Sequence, residues 1–164
     1  MLHFTRGEFD TRLAQTRAKL NARDLDVALL FAPESHYWLT GYDTFGYCFF
    51  QCLVVTLEGL HLLTRSADLR QAQKTSVIED IRIWVDGTDP GLALREMLGD
   101  LGLQDARLGI ELDTHGLTAR NHQRVLAATD APLTDISDVI PALRDSHRRA
   151  GGLRSRPQAG PLHA

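Results

Sequence analysis

A chain of 164 residues suits one domain and is long enough to bury a hydrophobic core. Its 43% hydrophobic and 24% charged content is ordinary for a globular protein, and no apolar run reaches the ~18 residues that a membrane-spanning helix needs. A net charge of -3 gives no electrostatic case for nucleic acid or an anionic membrane; the opening MLHFTRGEFDTR has no signal-peptide core, so the cytoplasm is the expected compartment.

Thr5-Arg6-Gly7-Glu8 has the spacing of a capping box, and Phe9, Leu13, Thr16, Arg17 and Leu20 then recur at helical intervals. This predicts an amphipathic helix to about Ala22. Val27-Ala28-Leu29-Leu30-Phe31 is a short apolar run after Asp26 and reads as a buried strand, closed by Pro33. The next stretch, SHYWLTGYDTFGYCFFQCLVV over residues 35–55, gathers Tyr37, Trp38, Tyr42, Phe45, Tyr47, Phe49 and Phe50. Two glycines and an Asp make its first half a loop or short helical turn, and residues 49–56 make a strand. Such a loop is either core packing or the wall of a small-ligand pocket; both readings stay open.

Glu58-Gly59 separates residues 53–57 from 60–64 as the turn of an antiparallel hairpin. Residues 67–73 form a short helical candidate, and Ile81, Ile83 and Val85 mark another strand. Asp89-Pro90 starts a helix that Gly102 stops, with Leu92, Leu94, Met97, Leu98 and Leu101 as its apolar side. Residues 107–112 give a strand, 117–128 a helix, and 132–135 an edge strand. Ile136, Val139, Ile140 and Leu143 close with a helical segment that Pro141 is expected to kink or interrupt. Alternating strands and helices with one hairpin argue for an α/β sandwich with a mixed sheet. From Ser146 the sequence HRRAGGLRSRPQAGPLHA loses periodicity, so residues 1–145 are expected to form the domain and 146–164 a disordered or truncated tail.

Cys48 and Cys52, placed on one strand, stand ~13 Å apart at ~3.3 Å per residue, too far for the ~7 Å reach of a disulfide. As C-x3-C they lack a second zinc half-site, and they read as buried free thiols. Glu111, Asp113 and His115 alternate, which on a continuing strand resembles a metal or acid/base cluster; polar strand ends and helix capping explain them better. Ser35-His36 has no G-x-S-x-G context, and neither G-x-G-x-x-G nor G-K-[ST] is present. No complete active site emerges: no catalytic residue and no metal ligand is assigned.

Tyr37-Trp38-Leu39-Thr40-Gly41-Tyr42, Leu108-Gly109-Ile110-Glu111, and Asp135 leading to Leu143-Arg144 come in the order of three family motifs. These are a Tyr-x-(Thr/Ser)-Gly-(Tyr/Trp) turn, here one residue longer between Tyr37 and Thr40 or matched with Trp38 in the aromatic place, a Leu-Gly-(Ile/Val)-Glu strand and an Asp before a hydrophobic helix ending in Leu-Arg. Over roughly residues 4–144 the chain resembles the N-terminal domain of the creatinase, prolidase and aminopeptidase P family. Tyr42-Asp43 followed by Phe45, Tyr47 and Gln51 is most similar to its ectoine-hydrolase and creatinase-like branch.

The resemblance implies a three-layer α/β/α sandwich, ribonuclease H-like, with a mixed sheet. It implies a non-catalytic domain of a metal-dependent C–N hydrolase, serving dimerisation and pocket lining, in which the aromatic loop reaches toward an active site, often the partner subunit's in a homodimer. Tyr42, Asp43, Tyr47 and Gln51 are the substrate-side residues on that basis. Tyr47 and Phe49 fall where creatinase places a Phe and an Arg against substrate, and Phe49 in the Arg place argues against creatine. Family chemistry uses two divalent metals held by a C-terminal domain; no cofactor is expected in this chain, and that domain is expected to be missing from it. The rival reading is a stand-alone small-molecule-binding or protein-interaction module.

Overall fold

The structure is a computed structural model and describes residues 4–154. Helix α1 (Arg6–Ala22) starts at the capping box foreseen in the sequence: the Thr5 amide donates to the Glu8 carboxylate at 2.8 Å and the Glu8 amide to the Thr5 hydroxyl at 3.3 Å. Strand β1 (Val27–Leu30) is wholly buried, as its unbroken apolar run requires. Helix α2 (Pro33–Thr40) takes the helical alternative of the expected loop or short helical turn: Pro33 opens it at a position with no N–H to lose, and Gly41 closes it at φ 79°, left-handed backbone that favours glycine.

The hairpin is β2 (Cys52–Val55) with β3 (Leu60–Arg65), followed by a 3-10 turn over Ser66–Asp68 and helix α3 (Leu69–Thr75). Strand β4 (Asp80–Trp84) precedes α4 (Pro90–Asp100), whose Asp89 side chain accepts the Gly91 amide at 2.9 Å. Strand β5 (Leu108–Ile110), helix α5 (Ala119–Ala128), strand β6 (Leu133–Asp135) and helix α6 (Val139–Arg154) complete the chain.

Pro141 neither kinks nor interrupts α6. It lies in the first turn, where its missing N–H has no carbonyl of the same helix to meet. The helix also runs through residues 146–154, which composition assigned to a tail. Once Val139, Ile140 and Leu143 are buried and the nucleus exists, each added residue gains one hydrogen bond. The rest of that expected tail, residues 155–164, lies outside the described residues.

The sheet order is β4-β3-β2-β1-β5-β6, with β2 alone antiparallel to its neighbours. Alternate residues of β1 divide between two cores. Ala28 and Leu30 join Leu20, Trp38, Leu39, Ile140 and Leu143 on the α1, α2 and α6 face. Val27 and Leu29 join Leu94, Met97, Val125 and Ala128 on the α4 and α5 face. This is a three-layer α/β/α sandwich on a mixed sheet. Five strands end, and β2 begins, at one edge.

Candidate functional site

That edge carries residues 42–51, and their backbone is pinned from below. Gly41 directs the chain into Tyr42, whose hydroxyl lies 3.2 Å from that of Thr64 on β3. The Asp43 amide donates to the Thr75 hydroxyl at 3.3 Å, and Gln71 Nε2 donates to the Asp43 carbonyl at 2.5 Å. Thr44 is a hub: its hydroxyl accepts the Gly46 amide at 2.9 Å and Gln51 Nε2 at 3.0 Å. Gln51 Nε2 also reaches Asp68 at 3.4 Å, and Gly46 packs so closely on Asp68 and Gln51 that a Cβ there would collide with both.

The same loop turns three rings outward. Phe45 is 85% exposed, Tyr47 57% and Phe49 39%, while Trp38, Tyr42 and Phe50 are buried. The choice between core and surface is therefore settled residue by residue. Phe49 lies under the Arg65 guanidinium, 4.0 Å from its ring centre, and Arg65 is itself paired with Asp86. Cys48 stands exposed between Tyr47 and Phe49, whereas Cys52 is buried; burial pushes the Cys52 thiol far up, and only this cysteine fits the sequence-based reading.

Of the four residues singled out from the sequence, the structure separates two from the surface. Tyr42 and Gln51 are buried and serve as anchors: Tyr42 meets Thr64 beneath the loop, and Gln51 ties Thr44 within the loop to Asp68 beneath it. Burial raises the Tyr42 pKa. Asp43 and Tyr47 are exposed. Sequence reasoning left Phe45 and Phe49 out of the substrate-side set, although the resemblance puts Phe49 at a substrate-contacting position. Their i, i+2 spacing with Tyr47 was the available signal. Arg65 and Asp68 carried none.

A second feature of this edge is a crevice of about 550 Å³ lined by Ser35, Glu111, Asp113, His115, Ser137 and Arg144 among others. It opens where β1 hands the chain to α2 on one face and β5 hands it to α5 on the other. Strand β5 ends at Ile110, so Glu111, Asp113 and His115 do not share a strand face. The Glu111 carboxylate is turned inward, accepting the Phe31 and Ala32 amides at 2.9 Å each and the Ser35 hydroxyl at 2.5 Å. Burial raises its pKa, opposed by those three bonds. His36 points elsewhere: Nε2 meets the Leu30 carbonyl at 2.8 Å, and burial holds its pKa down at about 4. Among the described residues no three His, Cys, Asp or Glu side chains converge to hold a metal. No described helix is long and apolar enough to cross a membrane.

Residues 12–146 match the Creatinase/Prolidase N-terminal domain. The chain is 29% identical over 135 residues to the ectoine hydrolase of Halomonas elongata, an alignment covering 76% of this chain and 34% of that one. A dipeptidase structure from Pyrococcus horikoshii superposes with a TM-score of 0.68 at 26% identity, over 81% of this chain and 36% of that one. The isolated Creatinase/Prolidase N-terminal domain of an X-Pro dipeptidase from Streptococcus pyogenes gives a TM-score of 0.69 at 16% identity, covering 82% of this chain and 98% of that one, which speaks to the fold. The chain spans about a third of the length of the curated relatives it matches.

Proposed function

The chain belongs to the Creatinase/Prolidase N-terminal domain family, and from that premise we propose that it is a non-catalytic domain of a metal-dependent C–N hydrolase, paired as a homodimer. In this reading residues 42–51 line a substrate pocket whose metal-binding groups come from outside residues 4–154. The observation that carries it is the outward display of Phe45, Tyr47 and Phe49 on a loop fixed from below by Thr44, Gln51, Gln71 and Thr75. Exposed rings on a pre-organised loop are suited to burying area against a partner or ligand with little ordering cost. Tyr47 and Asp43 face substrate; Tyr42 and Gln51 support them from beneath. Relatives named ectoine hydrolase and dipeptidase support a substrate that is a small polar molecule with a scissile C–N bond.

Sedimentation equilibrium and an activity assay test the two halves of the proposal. The wild-type chain is expected to dimerise, and Phe45→Ala with Tyr47→Ala to weaken pairing by roughly 10- to 100-fold, as loss of central aromatics does at interfaces. A wild-type chain monomeric at all concentrations overturns the pairing. Turnover of Xaa-Pro dipeptides or ectoine by the chain alone with added divalent metal overturns the non-catalytic role.

A further inference from the structure

We infer that Glu111 and Arg12 are positioning residues that clamp α2 at its two ends and thereby set where the aromatic loop stands. A helix of 8 residues is too short to hold itself in water, and its ends leave N–H and C=O groups without partners. Both ends of α2 are met by buried polar side chains, an acid at its start and a base at its finish, the order its dipole favours. At the start, Glu111 takes the Phe31 and Ala32 amides and the Ser35 hydroxyl from 76 to 80 residues away. At the finish, Arg12 of α1, only 4% exposed, donates from a terminal nitrogen to the Trp38 carbonyl at 2.8 Å.

The guanidinium is held there by rings rather than by a carboxylate: it lies 4.0 Å from the centre of Phe4, 5.3 Å from Trp38 and 5.7 Å from Phe9. Past the last residue of α2, Thr40, only Gly41 intervenes before Tyr42. Its amide returns to the Tyr37 carbonyl at 2.8 Å, and the Tyr42 amide to the Thr40 hydroxyl at 3.1 Å. The position of α2 therefore passes directly into the first residue of the loop.

The inference rests on the loop being the working surface, as proposed above, but its test reads loop position and not association, so the two fail separately. Cys48 is exposed on the loop and Cys52 is buried, so a trifluoromethyl thiol reagent marks the loop of the full chain at one place. The fluorine NMR spectrum is recorded where sedimentation gives a single species.

Glu111→Ala and Arg12→Met, each folded by circular dichroism, are expected to shift or broaden the Cys48 resonance. Glu111→Gln is expected to overlay the wild type, because its amide oxygen accepts the two backbone amides and its NH2 faces Ser35. Wild-type resonances in Glu111→Ala and Arg12→Met, with only a lower Tm, overturn the inference. Where Glu111→Ala does not fold, Ser35→Ala, which removes one of the three bonds, takes its place under the same criterion.

Discussion

The hydroxyl of Tyr42 and that of Thr64 meet 3.2 Å apart in the fully buried space between the loop and β3. Tyr42→Phe keeps the ring and loses this bond, and is expected to cost about 1 kcal/mol, the usual net worth of a neutral hydrogen bond. Urea unfolding measures it. A double-mutant cycle with Thr64→Val should recover most of the loss as coupling between the two positions. Additive losses would mean that the two hydroxyls act independently.

Glu111 makes a prediction about pH. Its pKa in the fold is raised above the ordinary value by burial, so the folded chain keeps this proton after the unfolded chain has released it. Stability therefore falls as pH rises from the ordinary glutamate range through the raised value. Several aspartates pull the other way; Asp26, held down at about 2 by hydrogen bonds from Arg107, loses its contribution as pH falls from ~4 toward that value. The comparison that isolates Glu111 is wild type against Glu111→Gln. Relative to the variant, the wild type should lose stability from about pH 4 upward. A constant difference across that range would show that Glu111 titrates alike in both states.

Gly116 lies against the Phe31 carbonyl so closely that an added Cβ would collide with backbone. Gly116→Ala must move the β5–α5 connection away from the β1–α2 junction, because a main-chain carbonyl cannot rotate aside as a side chain does. The expected loss is about 2–3 kcal/mol by thermal or urea unfolding. Gly46→Ala, by contrast, meets only the side-chain ends of Asp68 and Gln51. It should cost less than half as much while changing the rate at which Cys48 reacts.

The two cysteines should behave oppositely toward a thiol reagent. Cys48 is exposed and modifiable in the folded chain; Cys52 is buried, with its thiolate strongly disfavoured. Mass spectrometry is expected to find one adduct per chain under native conditions and two after denaturation. Two adducts at equal rates without denaturant would place Cys52 at the surface.

Most of the strand and helix pattern was legible because it rests on local signals. Thr5 to Glu8 begin α1, Asp89-Pro90 begin α4, and the apolar run Val27 to Leu30 is β1. The misreadings came from residues whose partners lie far along the chain. Residues 35–40 read only as a loop or short helical turn in sequence because the groups that hold the helix, Arg12 and Glu111, are 26 or more residues from the carbonyl and amides they meet. Arg12 itself falls on the buried side of α1 beside Phe9, Thr16 and Leu20, where a charged side chain carries no apolar signal. The aromatic loop was singled out as a candidate but not sorted: no periodicity says that Tyr42 points down to Thr64 while Tyr47 points out.

Because β2 alone runs against the other five strands, the aromatic loop enters the sheet at the edge where those strands leave it. The turn at 56–59 and the ion pair of Asp26 with Arg107 stand at the opposite edge. The molecule thus has a head and a foundation. Changes at the exposed side chains Phe45, Tyr47 and Phe49 alter one end only, whereas the buried Tyr42, Glu111 and Gly116 belong to the packing of the fold. The exposed rings of the head can therefore be exchanged without touching the register set at the other end.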